Sequence, residues 1–142
     1  VLELCGKKEP ADGLAAKFSV YHGCAAGLIF GRAGEHEYED AIVTREDVVA
    51  LRRKVVAVVD ERIDEAGVEL VAVLRDGRRL QVVVEHAIGS MQRPLTDAML
   101  EAKFHDQADA VLGAHRVSAL IQACKGLGGA PDVRALAQAA AA

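Results

Sequence analysis

The pattern of apolar and polar residues along the chain predicts helices on either side of a β-rich region. Small apolar residues predict a helix over Leu14–Phe30 that ends at Gly31. A second helix is expected after Thr44, a residue that can cap it, because three apolar positions recur at helical spacing: Val48, Leu51 and Val55. The run Val55–Val59 predicts a strand, since β-branched side chains fit a pleated sheet better than a helix.

A β-hairpin is the clearest local prediction. Val68–Arg75 and Arg78–Glu85 flank Asp76-Gly77, a dipeptide suited to a two-residue type I′ turn. Such a turn pairs Val73 with Leu80. It also places five apolar side chains on one core-facing surface of the hairpin: Val71, Val73, Leu80, Val82 and Val84.

The last third of the chain has the pattern of packed helices. Thr96 is expected to cap a helix that extends to about Val111, a second helix is expected over His115–Lys125, and a third after Pro131. Helices beside a small antiparallel sheet predict an α+β fold, arranged as a two-layer sandwich. The length predicts a single domain over residues 1–142.

Composition narrows the classes of function. The 142 residues carry a net charge of −4, so no lysine- and arginine-rich surface for nucleic acid is expected. No apolar run approaches the ~20 residues that span a bilayer, and we expect no signal peptide. Three cysteines without metal-type or redox-type spacing favour reduced thiols in a cytoplasmic protein.

Candidate chemistry is concentrated near the start of the first predicted helix. Lys17, Ser19, Tyr21 and His22 bring an ammonium, a hydroxyl, a phenol and an imidazole to this segment. On a continuous helix, Lys17 shares a face with Tyr21, and Ser19 with His22. Two glycines in the following turns predict that another part of the fold packs very close: Gly23 and Gly27. From the residues alone, the alternative is that Tyr21 and His22 pack against a neighbouring helix with their polar atoms satisfied.

Two further histidines lie in less specific surroundings. His86 ends a predicted strand beside the loop Gly89–Pro94, from which Arg93 can reach an anionic substrate, although a plain connector is the alternative. His36 lies among glutamates in Gly34–Asp40, a predicted surface loop without the fixed geometry of a cation site.

Several segments share a pattern with one protein family, and they follow one another in that family's order: Gly13–His22, Leu74–Arg78, Gly89–Phe104, Val111–Gly113 and Pro131–Arg134. Together they resemble the C-terminal domain of the 2-methylcitrate dehydratase (MmgE/PrpD) family. The chain departs from the family pattern at one position, because family members often carry a tyrosine five residues after the lysine. Here that position is His22, and Tyr21 precedes it.

The resemblance implies a lyase or isomerase that acts on small di- or tricarboxylic acids without a metal or other cofactor. Such an enzyme removes a proton next to a carboxylate. The resemblance implies that His22 and Tyr21 are catalytic, and that three further residues contact the substrate: Lys17, Ser19 and Arg93.

The resemblance also implies a domain organisation. Family members join an all-helical domain to a smaller α+β domain, place the active site between the two, and commonly form homodimers. This chain resembles the smaller domain and begins at Val1 rather than Met, so we expect a C-terminal domain without its N-terminal helical domain, inactive in isolation. The alternative is a stand-alone binding or dimerisation module, whose partner surface is the partly apolar outer face of the hairpin: Leu70, Leu74 and Val83.

Overall fold

The computed structural model describes residues 2–141, which form eight α-helices and one two-stranded antiparallel sheet. The predicted α+β class is therefore confirmed. The chain forms two compact units, the first ending at Arg93 and the second beginning at Pro94. Organisation as one domain stays a prediction.

The first unit contains five helices, a 3₁₀ turn and the hairpin. The helices are α1 (Leu2–Cys5), α2 (Gly13–Ala16), α3 (Val20–Phe30), α4 (Asp40–Val43) and α5 (Glu46–Arg52), and the 3₁₀ turn is His36–Tyr38. Helix α3 packs against α5. Small apolar side chains fill the core of this unit because the chain is poor in aromatic residues: Ala16, Ala25, Ala26, Val43 and Val48.

The continuous helix predicted over Leu14–Phe30 is wrong, because the chain leaves the helical conformation between α2 and α3. Ser19 has extended backbone angles, φ −131° and ψ 102°, and forms an isolated antiparallel bridge with Gly6. A residue with a short polar side chain is stable in this position, since its oxygen can accept a hydrogen bond from a free N–H at the helix start. The predicted end of the helix is confirmed at Gly31, where φ is 71°.

The close approach predicted from glycines occurs at a different glycine. A Cβ on Gly13 would lie 2.0 Å from the carbonyl oxygen of Tyr38, and the Gly13 N–H donates to Asp40 Oδ1 at 2.7 Å. Gly27 has no atom within 4 Å of the corresponding position, and Gly23 makes only an ordinary contact. The tight contact therefore joins the start of α2 to the segment that leads into α4.

Two predictions for the segment after α3 are wrong: the helix cap at Thr44 and the strand over Val55–Val59. The Thr44 hydroxyl donates to the carbonyl of Asp40 at 2.8 Å, so it closes α4 and leaves the start of α5 without a side-chain cap. No strand forms over Val55–Val59, and Val56 and Val58 are largely exposed. A β-branched sequence becomes a strand only where another strand satisfies its backbone hydrogen bonds, and within residues 2–141 no strand pairs with this segment.

The hairpin is confirmed, but its turn is longer than predicted. Strands β1 (Val68–Val73) and β2 (Arg79–Val84) are joined by a turn in which the N–H of Gly77 donates to the carbonyl of Leu74 at 3.0 Å. The N–H of Leu74 donates in turn to the carbonyl of Arg78 at 2.8 Å, which leaves three residues in the loop. Gly77, at φ 84°, supplies the left-handed residue that a three-residue loop requires.

The additional loop residue shifts the register by one. Val71 pairs with Gln81, not with Val82 as predicted, and Val73 pairs with Arg79. A shift of one residue moves every side chain of one strand to the other face. The apolar face of the hairpin therefore keeps Leu80, Val82 and Val84 from β2, but its β1 residues are Val68, Leu70 and Ala72 instead of Val71 and Val73.

The second unit consists of helices α6 (Asp97–Leu112), α7 (Ala114–Lys125) and α8 (Arg134–Ala140), with a 3₁₀ turn after α7. The Thr96 hydroxyl caps α6 by accepting from the Met99 N–H at 3.3 Å, as predicted. Helix α7 packs against both α6 and α8, and its buried face carries three residues: Val117, Leu120 and Ile121. Among residues 2–141, no helix has the length and apolar character needed to cross a membrane.

Candidate functional site

Ser19 holds the candidate segment in place through both roles of its hydroxyl. Its Oγ accepts a hydrogen bond from the His22 N–H at 3.1 Å and donates one to the carbonyl of Lys7 at 2.5 Å. The N–H of Lys7 donates to the carbonyl of Phe18 at 3.2 Å, so the two backbone stretches run side by side. Ser19 therefore caps α3 and ties its start to the segment that follows α1.

The His22 side chain is fully buried beneath the start of α3. Its Nε2 lies 2.9 Å from the carbonyl oxygen of Glu37 and must donate, since a carbonyl oxygen can only accept. The ring meets the Tyr38 ring edge-on, with centroids 5.0 Å apart. Its other nitrogen, Nδ1, is sealed from solvent and has no hydrogen-bond partner. The fold uses one nitrogen of His22 and leaves the second chemically uncommitted.

Tyr21 is 5% exposed and differs from His22 in the state of its polar atom. The Tyr21 hydroxyl makes no hydrogen bond to any residue that the structure describes, but, unlike His22 Nδ1, it is not sealed from solvent. The Lys8 ammonium lies 5.9 Å from the centre of the ring. A cation over the face of a tyrosine ring is attracted by the ring quadrupole.

Lys17 lies in the break before α3, where its side chain is 44% exposed. Its Nζ pairs with Glu35 Oε1 at 2.6 Å. Exposed ion pairs of this kind contribute only about 0–1 kcal/mol, so the ammonium can exchange its partner at little cost. Lys17 and Tyr21 do not share a helical face, because Lys17 precedes the start of α3.

Two residues that surround His22 were missed by the sequence patterns. Glu37 and Tyr38 lie in the predicted surface loop, but Glu37 is buried. Burial alone raises the pKa of the Glu37 carboxyl, while hydrogen bonds from the Gly34 N–H and the Arg32 guanidinium outweigh it and hold that pKa below its usual range. The only local sign of burial is Tyr38, an aromatic residue inside an acidic run.

The pKa of the Tyr38 phenol is raised, chiefly by burial and further by the nearby thiols of Cys24 and Cys5. Burial also raises the pKa of the Cys24 thiol. Both shifts favour the neutral, protonated groups. The His22 ring thus meets a neutral aromatic ring and a backbone carbonyl, and the Cys24 thiol that acts on Tyr38 is itself held in its protonated form.

Arg93 lies elsewhere in the first unit. With His86 it lines a depression that follows β2, and no hydrogen bond, ion pair or ring contact joins either residue to the segment Lys17–His22. The structure therefore brings Ser19 and His22 into direct contact, while Arg93 lines a depression to which neither of them contributes. His36, in the acidic loop, pairs with Glu39 at 2.9 Å on the surface, and this contact raises the pKa of His36.

These features define an α+β protein whose polar candidates lie in its first unit. The family model of the MmgE/PrpD C-terminal domain matches residues 1–127, and the chain belongs to this family. The match includes the whole segment Lys17–His22, the hairpin and the loop that carries Arg93. No curated protein matches the chain.

Proposed function

We propose that this chain forms one wall of the active site of a lyase or isomerase that acts on small di- or tricarboxylic acids. The observation that carries the proposal is the family match over residues 1–127, which includes the polar segment Lys17–His22. The reaction removes a proton from a carbon next to a carboxylate, and a positioned acid or base accelerates such a step by roughly 10²–10⁴-fold.

In this proposal Tyr21 and His22 are the acid–base groups that transfer the proton. The Tyr21 hydroxyl is free to donate to the substrate or to the negative charge that develops on it, since the fold gives it no partner. His22 acts through Nδ1, because Nε2 is committed to the Glu37 carbonyl. Because Nδ1 is sealed from solvent in the structure, substrate binding must expose it.

Substrate carboxylates are bound by cations and hydroxyls. Lys17 exchanges Glu35 for a substrate carboxylate, which preserves the charge pairing of its ammonium. Ser19 reaches a carboxylate only by giving up its bond to the Lys7 carbonyl, so its first contribution is to position His22. Arg93 offers a guanidinium, the group best matched to a carboxylate, because its two parallel N–H donors can bind both oxygens.

The proposal includes partners and a location. A helical domain supplies the opposite wall, the enzyme is a cytoplasmic homodimer, no cofactor takes part, and the 142-residue chain alone has no activity. The cytoplasmic location is supported by the three free cysteines, Cys5, Cys24 and Cys124.

A second candidate function is a non-catalytic binding or dimerisation module with the same fold. It is favoured by the apolar face of the hairpin, where Val68, Leu80 and Val82 are each at least half exposed. The outer hairpin face predicted from the sequence as its partner surface, with Leu70, Leu74 and Val83, is not a single face, because the register places Leu70 and Val83 on opposite sides of the sheet.

The test is a chimera in which this chain replaces the C-terminal domain of a catalytically active family member. Turnover of 2-methylcitrate is followed by the absorbance of the unsaturated product. We expect the chimera to be active, the chain alone to be inactive, and Tyr21→Phe to lower kcat of the chimera at least 100-fold, within the usual range for acid–base groups.

The matched control is Tyr38→Phe, which removes the other phenol from the same unit and should leave kcat within a few-fold. A folded chimera without turnover would contradict the enzyme proposal and support the binding module. Turnover by the chain alone would contradict the need for a second wall.

A further inference from the structure

A shallow depression of about 330 Å³ lies where β2 leads into the following loop. It is lined by Val83, Val84, Glu85, His86, Gln92 and Arg93. Val83 supplies its apolar side chain on the face of β2 that continues into Glu85, because Val84 points to the other face of the strand. A volume near the lower end of the ligand-pocket range suits a small molecule rather than a nucleotide.

The loop that carries Arg93 is held by its own hydrogen bonds. The Arg93 N–H donates to the carbonyl and the hydroxyl of Ser90, at 3.2 and 3.1 Å, and the Arg93 carbonyl accepts from the Gly89 N–H at 2.7 Å. Gly89 has φ 92°, a conformation that few residues other than glycine adopt. The backbone of Arg93 is thus fixed, while its guanidinium makes no hydrogen bond or ion pair with any residue that the structure describes.

The depression carries opposite charges that do not neutralise each other. Glu85 and Arg93 line the same space, yet no ion pair joins them, and Glu85 has no other partner within residues 2–141. His86 also lines the depression, but its unpartnered Nδ1 is sealed from solvent and is not offered to a ligand. Gln92 adds an amide that can donate to a carboxylate oxygen.

We propose that this depression binds a small zwitterion, an α-amino acid with an aliphatic side chain. Its carboxylate lies against Arg93 and Gln92, its ammonium against Glu85, and its side chain against Val83. A ligand with both charges pairs the Arg93 guanidinium and the Glu85 carboxylate at the same time, whereas a simple anion or a simple cation pairs only one of them. The proposal shares Arg93 with the proposed function but does not rest on it, since the ligand is recognised without turnover.

The test compares three molecules of similar shape: L-valine, isovalerate, which lacks the ammonium, and isobutylamine, which lacks the carboxylate. Each is titrated into the ¹⁵N-labelled chain, and backbone amide shifts are followed. We expect saturable shifts in residues 83–93 with L-valine, and at least tenfold weaker binding of the two analogues.

Charge-removing variants assign each end of the ligand. Arg93→Gln should weaken L-valine and isovalerate, and Glu85→Gln should weaken L-valine and isobutylamine, each at least fivefold. The matched controls are Arg79→Gln and Glu65→Gln, exposed residues of the same unit without a charged partner, and they should bind L-valine as the parent does. Unchanged amide spectra in the absence of ligand establish that all four variants are folded.

Three results would overturn the proposal: no saturable shift in residues 83–93, equal binding of isovalerate and L-valine, or equal losses in the variants and their controls. Equal binding of isovalerate would indicate a simple anion site. None of these results bears on turnover in the chimera, so failure here is distinguishable from failure of the proposed function.

Discussion

Replacement of His22 by alanine tests how the candidate segment is held together. The side chain is fully buried, so its removal leaves a cavity, and comparable truncations of large buried side chains cost about 2–5 kcal/mol. Two polar effects nearly cancel. The Glu37 carbonyl loses its donor, which costs about 1–3 kcal/mol, while the unpartnered Nδ1 atom and its similar cost disappear. We therefore expect His22→Ala to lower the free energy of unfolding by about 2–5 kcal/mol.

A second variant, His22→Phe, separates packing from hydrogen bonding. Phenylalanine keeps a ring beside Tyr38 and fills the cavity. It removes the unpartnered Nδ1 atom of His22 but leaves the Glu37 carbonyl oxygen without its donor. The expected loss is about 1 kcal/mol, mainly from the slightly larger ring in a packed site. If His22→Phe is as destabilising as His22→Ala, then the bond to Glu37 dominates and the packing argument is wrong.

The assay is urea unfolding followed by near-ultraviolet circular dichroism of tyrosine. The chain has no tryptophan, and its two tyrosines, Tyr21 and Tyr38, both belong to the first unit, so the signal reports unfolding around His22. Lys54→Ala, an exposed substitution in the same unit, is the control and should change little. A loss below about 1 kcal/mol for His22→Ala would refute the buried position of the ring.

Three other predictions concern the first unit. Arg52 is buried, donates to the Val43 carbonyl and pairs with Glu9, so Arg52→Ala should lower the free energy of unfolding by about 2 kcal/mol or more. Arg53 also pairs with Glu9 but is exposed, so Arg53→Ala should cost far less in the same urea assay. Folding lowers the pKa of the Glu37 carboxyl. The ionised carboxylate therefore stabilises the fold at a pH above its pKa in the unfolded chain, and this stabilisation is lost as the pH falls through its lower pKa in the folded chain. Glu37→Gln should therefore be less stable than the parent at neutral pH, with a difference that narrows towards pH 3, as measured by melting temperature against pH. The register predicts a strong nuclear Overhauser effect between the Hα protons of Val71 and Gln81, and its absence would contradict the three-residue turn.

Part of the fold was predictable because its signals are local. Thr96 caps α6 through a residue three positions away, and Gly31 and Gly113 end helices through their own positive φ angles. The apolar face of α7 follows from helical periodicity within a single element. Such features depend on neighbours within a few residues and need no knowledge of the rest of the chain.

The candidate site was predictable only as a set of residue types. The helix break at Ser19 depends on the Lys7 carbonyl, and the burial of His22 depends on Glu37, fifteen positions further along. The register of the hairpin depends on one additional residue in its turn, which Asp76-Gly77 does not reveal, because that dipeptide fits both turn lengths.

The amino-acid sequence by itself determined the α+β class, the membership of the MmgE/PrpD family and the presence of an imidazole and a phenol side by side in one segment. The tertiary structure alone decided that Nδ1 of the buried His22 has no partner, that the Tyr21 hydroxyl makes no hydrogen bond within the described residues, and that Arg93 lines a depression to which neither residue contributes. The physical reason is that residue types and short periodicities are properties of adjacent positions. Burial and hydrogen-bond partners are properties of contacts between segments that only the folded chain brings together.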